Sequence, residues 1–195
     1  MKDKNYIRGQ FEETKKVIDM FLREHRDVEI LRASEIIVGS LKNGGRMLIC
    51  GNGGSATDAS HITGELVGRY KLNRPALDVI TLGSDLAVTT AVSNDFGYEN
   101  LYAKEVEGRG REGDILLGIS TSGNSKSIVN ALEMGKHMGL KNITLTGNDG
   151  GKMKALSDIN INVPYSDTPR IQEVHTIIYH TLCDLIEQGM FGGFK

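Results

Sequence analysis

Three constellations in this sequence carry residue types whose spacing could do chemistry. The densest is Ser120-Thr121-Ser122-Gly123-Asn124-Ser125, four hydroxyls in six residues, set between the apolar run Ile115 to Ile119 and helical sequence from Lys126. Hydroxyl and backbone N–H donors at a strand-to-helix turn can hold a phosphate dianion without a lysine. That suits a sugar phosphate better than a nucleoside triphosphate with its magnesium. The second is Cys50-Gly51-Asn52-Gly53-Gly54-Ser55. Its glycines could let backbone N–H groups crowd an anion at a helix N-terminus, or the segment could be a tight turn closed by a Ser55–Asp58 capping box. It is neither a GxGxxG fingerprint nor a P-loop, since no Lys-Ser/Thr pair follows. The third is His61-Ile62-Thr63-Gly64-Glu65. Positions i and i+4 share a helical face, about 40° apart, roughly opposite Ala59, Ile62 and Leu66. A solvated ion pair has this spacing too. Because the helix opens at the glycine loop, however, the pair lies within two turns of a ligand there and could supply metal ligands, a general base, or both.

Near the end of the chain, Thr168 and Pro169 read as N-cap and first residue of a last helix. Ile171, Val174, Ile178, Leu182 and Leu185 form its core stripe, and His175 falls within it as a core histidine. His180 points about 180° from the centre of that stripe and Gln172 about 100°. His180 is therefore expected to face solvent or another subunit.

Holding these residues requires strands and helices in alternation. Candidate strands are 47–50, 79–82, 115–120, 143–146 and 159–163, with helical segments near 56–69, 84–92, 98–107, 126–138, 150–157 and 169–188. Alternation of this kind implies right-handed crossovers and a parallel sheet covered on both faces. The expectation is a three-layer α/β sandwich with a five-stranded parallel sheet, preceded by a helical segment over residues 1–42, with ligands bound beyond the carboxyl ends of the strands. Composition sets the outer bounds. The 195 residues are 39% hydrophobic and 25% charged with a net charge of −2, which excludes a disordered chain and gives no basic footprint for nucleic acid. No apolar run approaches the roughly 20 residues of a membrane span, and no secretory leader is visible, so a cytoplasmic protein is expected. Cys50 and Cys183 lack CxxC spacing and read as buried thiols.

Taken whole, the chain resembles the sedoheptulose 7-phosphate isomerases (phosphoheptose isomerases) of the sugar-isomerase, or SIS, fold group. The resemblance runs from the N-terminal helices to the last helix. It is carried by GNGGSA at 51–56, His61-x3-Glu65, GRY at 68–70, NRP at 73–75, NDFGYE at 94–99, GISTSGNS at 118–125, TLTGNDGGKM at 144–153 and RIQEVH at 170–175 with His180. It implies one flavodoxin-like SIS domain over 1–195, whose first 42 residues pack on the domain and on neighbouring subunits. It also implies isomerisation of sedoheptulose 7-phosphate to D-glycero-D-manno-heptose 7-phosphate, the entry to activated heptose for bacterial lipopolysaccharide and capsule. By resemblance, Ser120, Thr121, Ser122 and Ser125 hold the phosphate with help from Ser55. Asn52, Gly53, Gly54, Glu65, Asn94, Asp95 and Gln172 contact the sugar. Glu65 and His180 are base and acid, and His61, Glu65, Gln172 and His180 bind one zinc per subunit of a homotetramer with sites at subunit interfaces.

Moving a carbonyl between C2 and C1 needs one proton carried between neighbouring carbons, so a carboxylate plus an acid suffices. A difficulty is that Gln172 and His180 are eight residues apart, about 12 Å of helix rise. Either the helix is irregular at its start or more than one chain supplies the ligands. Two other readings compete: a non-catalytic SIS scaffold of the replication-initiator-associating type, expected to lack part of this acid, base and metal set, and a sugar-phosphate sensor, disfavoured because no DNA-binding segment is visible.

Overall fold

Five short β-rich runs pair into one parallel sheet: β1 (Met47–Gly51), β2 (Val79–Thr81), β3 (Ile115–Ser120), β4 (Lys141–Gly147) and β5 (Ile159–Val163). The order across the sheet is β2-β1-β3-β4-β5, as a computed structural model of the chain gives it for residues 3–24 and 26–192. Helices α1 (Lys4–Arg23) and α2 (Asp27–Lys42) precede the sheet. α3 (Gly54–Val67), α4 (Leu86–Phe96), α5 (Leu101–Arg109), α6 (Lys126–His137), α7 (Gly151–Leu156) and α8 (Thr168–Phe191) follow in turn, with a 3-10 turn at Tyr98–Asn100 before α5.

Period-two alternation divides the strands between two cores. Met47, Ile49, Ile115, Leu117, Ile143 and Leu145 pack with residues of α1, α2, α3 and α8. Leu48, Cys50 and Leu116 face the other way and pack with Leu101, Tyr102, Val106, Ile128, Leu132 and Met153 of α5, α6 and α7. The expected three-layer arrangement is thus present, and both cysteines are buried and unpaired. Chain order reverses between β1 and β3, and the loops leaving these neighbours hold the two glycine-containing segments. In an open parallel sheet this crevice beyond the carboxyl ends is where ligands bind.

Details differ from the expected boundaries. β4 begins at Lys141 because backbone pairing with β3 opposite Ile115 starts there, although Lys141 itself is exposed. α3 begins at Gly54 with Gly53 at the N-cap, φ +56°, and has no side-chain cap. The Ser55–Asp58 capping box therefore does not form: Ser55 already lies inside the first turn, and Asp58 Oδ2 is buried without a hydrogen-bond partner. In α8 the cap is Asp167, one residue before the expected Thr168. α4 buries none of its residues, and Leu86 is 77% exposed.

Candidate active site

The serine-rich segment closes on itself at the end of β3. Ser120 Oγ lies 2.9 Å from Ser125 Oγ and 3.3 Å from Ser122 Oγ, and Asn124 N donates to Ser122 Oγ at 3.2 Å. The turn needs Gly123, whose φ is +63° and whose Cβ position is filled by the carbonyl of Gly150. Across the crevice, the first turn of α3 meets α8 so closely that a Cβ on Gly54 would stand 2.5 Å from Gln172 Nε2. Between them is a cavity of about 240 Å³ lined by Asn52, Gly54, Ser55, Ile119, Ser120, Thr121, Ser122, Ser125, Thr168 and Gln172. The N-termini of α3, α6 and α8 all open onto it, so unpaired N–H groups and the positive ends of three helix dipoles converge with the hydroxyls. Such a site accepts an anion without a cationic side chain.

Asn52 is fixed from three sides. Its Oδ1 accepts from Tyr98 at 2.7 Å and Tyr102 at 3.1 Å, and its Nδ2 donates to Ser127 Oγ at 3.0 Å.

Further down the same two helices lies a second cluster. His61, Glu65 and His180 bring ligand atoms within 4.8 Å of one another. His61 Nε2 is 3.0 Å from Glu65 Oε1, and the His61 and His180 rings meet edge to face with centroids 5.0 Å apart. Tyr70 stacks on His180 at 6.0 Å, and the Tyr179 hydroxyl lies 3.0 Å from His61 Nδ1. Two imidazoles and a carboxylate are a donor set that fits zinc. His180 therefore meets α3 of its own chain and is half-buried there, instead of pointing wholly away from its own fold. α8 packs against α1, α2 and α3 as well as the sheet, so its buried arc is far wider than the stripe in its sequence. His175 is a core histidine, fully buried and 3.1 Å from the carbonyl of Thr146, and burial lowers its pKa to about 4.

Not every expected residue meets here. Gln172 sits beside Gly54 in the upper cavity, eight residues before His180, and its side chain makes no hydrogen bond to the trio. Asn94 and Asp95 are exposed at the end of α4 and bond to each other at 2.7 Å, away from the cavity. Three further groups beside the trio have no role there that sequence spacing reveals. Asp58, three residues before His61, has its carboxyl raised by burial to about 6. Tyr179 has its phenol raised, first by burial. The third is the buried pair Arg74–Glu187, at 3.0 Å, whose guanidinium also donates to the carbonyls of Glu65 at 2.9 Å and Leu66 at 2.6 Å.

Comparison with known proteins bears on this geometry. A family model described as SIS domain matches residues 10–147. A phosphoheptose isomerase of Thermodesulfovibrio yellowstonii is 47% identical over 191 residues, covering 98% of this chain and 94% of that one. One from Helicobacter pylori is 46% identical over 184 residues, covering 94% and 95%. The solved structure of a phosphoheptose isomerase from Francisella tularensis superposes with a TM-score of 0.92 at 38% identity, covering 96% of this chain and all of that one. Among the described residues no helix is long and apolar enough to cross a membrane. Identity of this extent, on the same fold, sets aside the non-catalytic scaffold: the chain belongs to the phosphoheptose isomerase family, isomerases built on the SIS domain.

Proposed function

We propose that the protein, working as a single SIS domain, converts sedoheptulose 7-phosphate to D-glycero-D-manno-heptose 7-phosphate in the cytoplasm, the first step of activated-heptose synthesis for bacterial surface glycans. One observation carries this reading. A hydroxyl-rich anion cavity and a His/Glu/His trio share the same two helices, with His61 seven residues after Gly54 and His180 eight after Gln172. That is about 10–12 Å of helix rise, and helical side chains lean back toward the N-terminus, so the trio reaches up toward the cavity. An open sugar chain anchored by its phosphate would extend from one to the other.

In this reading Ser120, Thr121, Ser122 and Ser125, with Ser55, hold the phosphate at the three helix N-termini. Asn52, Gly53, Gly54 and Gln172 orient the sugar hydroxyls. Glu65 removes the proton from C1 of the ketose and returns it to C2 through an enediol. His180 donates a proton to O2 as the carbonyl there is lost, and accepts one from O1 as the new carbonyl forms. Glu65 Oε1 faces His61, and Oε2, which has no hydrogen bond among the described residues, would take the carbon-bound proton. Zinc held by His61, Glu65 and His180 would polarise the substrate carbonyl as a Lewis acid, while Gln172, expected as a fourth ligand, stands beside Gly54 in the upper cavity and outside that set.

Asn94 and Asp95 enter the site if a second copy supplies α4. A homotetramer with sites shared between subunits is supported by the bare surface of that helix, where Phe96 is 55% exposed, and by Phe11 of α1, 70% exposed in a groove with Ile177 of α8. The direct test is to incubate the purified protein with sedoheptulose 7-phosphate, follow the aldose by NMR and determine metal in the same sample. Aldose formation with about one zinc per chain is expected. A folded, zinc-supplied protein that leaves the ketose unchanged would refute the reading.

A further inference from the structure

Apart from its ring contact with His180, His61 is gripped at both ring nitrogens, with Nε2 3.0 Å from Glu65 Oε1 and Nδ1 3.0 Å from the Tyr179 hydroxyl. Glu65 is an acceptor when ionised, so without metal the proton belongs on Nε2, and Nδ1 must accept from Tyr179. When Nε2 gives its lone pair to a metal ion, the proton must move to Nδ1, which then needs an acceptor. A backbone carbonyl or a carboxylate at that point would serve the second state alone. A tyrosine hydroxyl serves both, because rotation about its C–O bond exchanges donor for acceptor without moving the ring. The Tyr179 ring cannot drift: it is 2% exposed, and its centroid lies 5.4 Å from that of His61 at 66°. His61 has no other restraint of this kind, since its side chain is 46% exposed on α3.

We propose that Tyr179 is a positioning residue that lets His61 change tautomer in place, so that one imidazole is a hydrogen-bond donor to Glu65 in the metal-free protein and a metal ligand in the loaded one. The proposal rests on the metal reading above. Removing the hydroxyl leaves the ligands themselves intact but deprives Nδ1 of its partner in both states. Loss of such an outer partner weakens metal binding by about 10- to 100-fold.

The test uses the full-length protein and its Tyr179→Phe variant, stripped of metal and titrated with zinc against a competing chelator. In parallel, nitrogen-detected NMR of the histidine rings reads the tautomer. The wild type should show His61 protonated at Nε2 without zinc and at Nδ1 with it. The variant should bind zinc at least 10-fold more weakly. With zinc held near the wild-type Kd, its kcat should fall while KM for the sugar phosphate stays within two-fold, and excess zinc should restore kcat. A purely structural role for Tyr179 predicts no such rescue. Equal zinc affinity in the two proteins, or a wild-type His61 already protonated at Nδ1 without metal, overturns the role of Tyr179 and leaves the metal site standing. Failure of the wild type to bind zinc overturns both. The wild-type tautomer measurement decides the matter even if the variant folds poorly.

Discussion

Glu187→Gln isolates the structure that holds α3, the helix bearing Glu65, in place. Oε1 of Glu187 accepts from Arg74 Nε at 3.0 Å and Tyr70 N at 3.2 Å, and Oε2 accepts from Lys71 N and Leu72 N, both at 2.8 Å. The carboxylate is 1% exposed and the Arg74 side chain 2%. Glutamine fits the same space, but whichever way its amide turns, two N–H donors face an NH2 group. Two lost bonds to a charged acceptor cost about 1.5–3 kcal/mol each, and a broken buried pair about 3–5 kcal/mol. Both routes agree on about 3–5 kcal/mol. For a chain of this size that lowers Tm by about 6–20 °C, read by circular dichroism at fixed protein concentration because association also shifts Tm. Burial alone would raise the Glu187 carboxyl, but the backbone N–H groups of Lys71, Leu72 and Tyr70 together with Arg74 hold it below its ordinary value of 4.5. Its contribution is therefore complete above that value and lost as pH falls through the lower folded value, so the gap between wild type and variant should close in acid. Turnover should fall as well, because Arg74 closes the last turn of the helix that bears Glu65. A variant melting within 2 °C of wild type at pH 7 would refute the reasoning.

Other outcomes follow from the same geometry. Ser122→Ala should raise KM for the sugar phosphate and weaken competitive inhibition by inorganic phosphate about 10- to 100-fold, the equivalent of about 1.5–3 kcal/mol for one charge-assisted hydrogen bond. Unchanged phosphate inhibition would move the anion site elsewhere. Chelation should remove about one zinc per chain together with activity, measured by metal analysis and turnover on the same sample; a metal-free protein of full activity would reject the metal role. Subunit mixing separates what one chain holds from what two share. Glu65→Gln refolded with His180→Gln should stay inactive, since one chain carries both residues, whereas Glu65→Gln refolded with an inactive Asp95→Asn should regain a fraction of wild-type activity. Recovery in the first mixture, or none in the second with subunit exchange verified by mass spectrometry, would contradict this division.

Much of the architecture was legible because strands and helices announce themselves locally. Ile115 to Ser120 and Ile159 to Val163 are apolar or β-branched runs punctuated by turn residues, and they became β3 and β5 without change. The serine-rich turn was equally local, since strand, loop and helix adjoin in sequence. What could not be read were contacts made by distant segments. The heptad-like stripe of α8 suggested one buried face, but three helices and the sheet share that helix, which turned His180 inward to α3. Ser55 and Asp58 had the spacing of a cap, yet α3 starts at Gly54 with Gly53 at its N-cap, which leaves Ser55 inside the first turn. Tyr179 and the Arg74–Glu187 pair meet their partners across 118 and 113 positions of chain, where no sequence period reaches.

The central claim is that Glu65 carries a proton between C1 and C2 of a sugar anchored in the cavity above it. The measurement closest to that claim is isomerisation of sedoheptulose 7-phosphate in deuterated water, with carbon-bound deuterium followed by NMR in wild type and in folded Glu65→Gln. The wild type should place deuterium on C2 of the aldose and, through the reverse reaction, on C1 of the ketose, while the variant should show neither exchange nor turnover. Deuterium exchange by the variant at more than a few per cent of the wild-type rate would contradict the account.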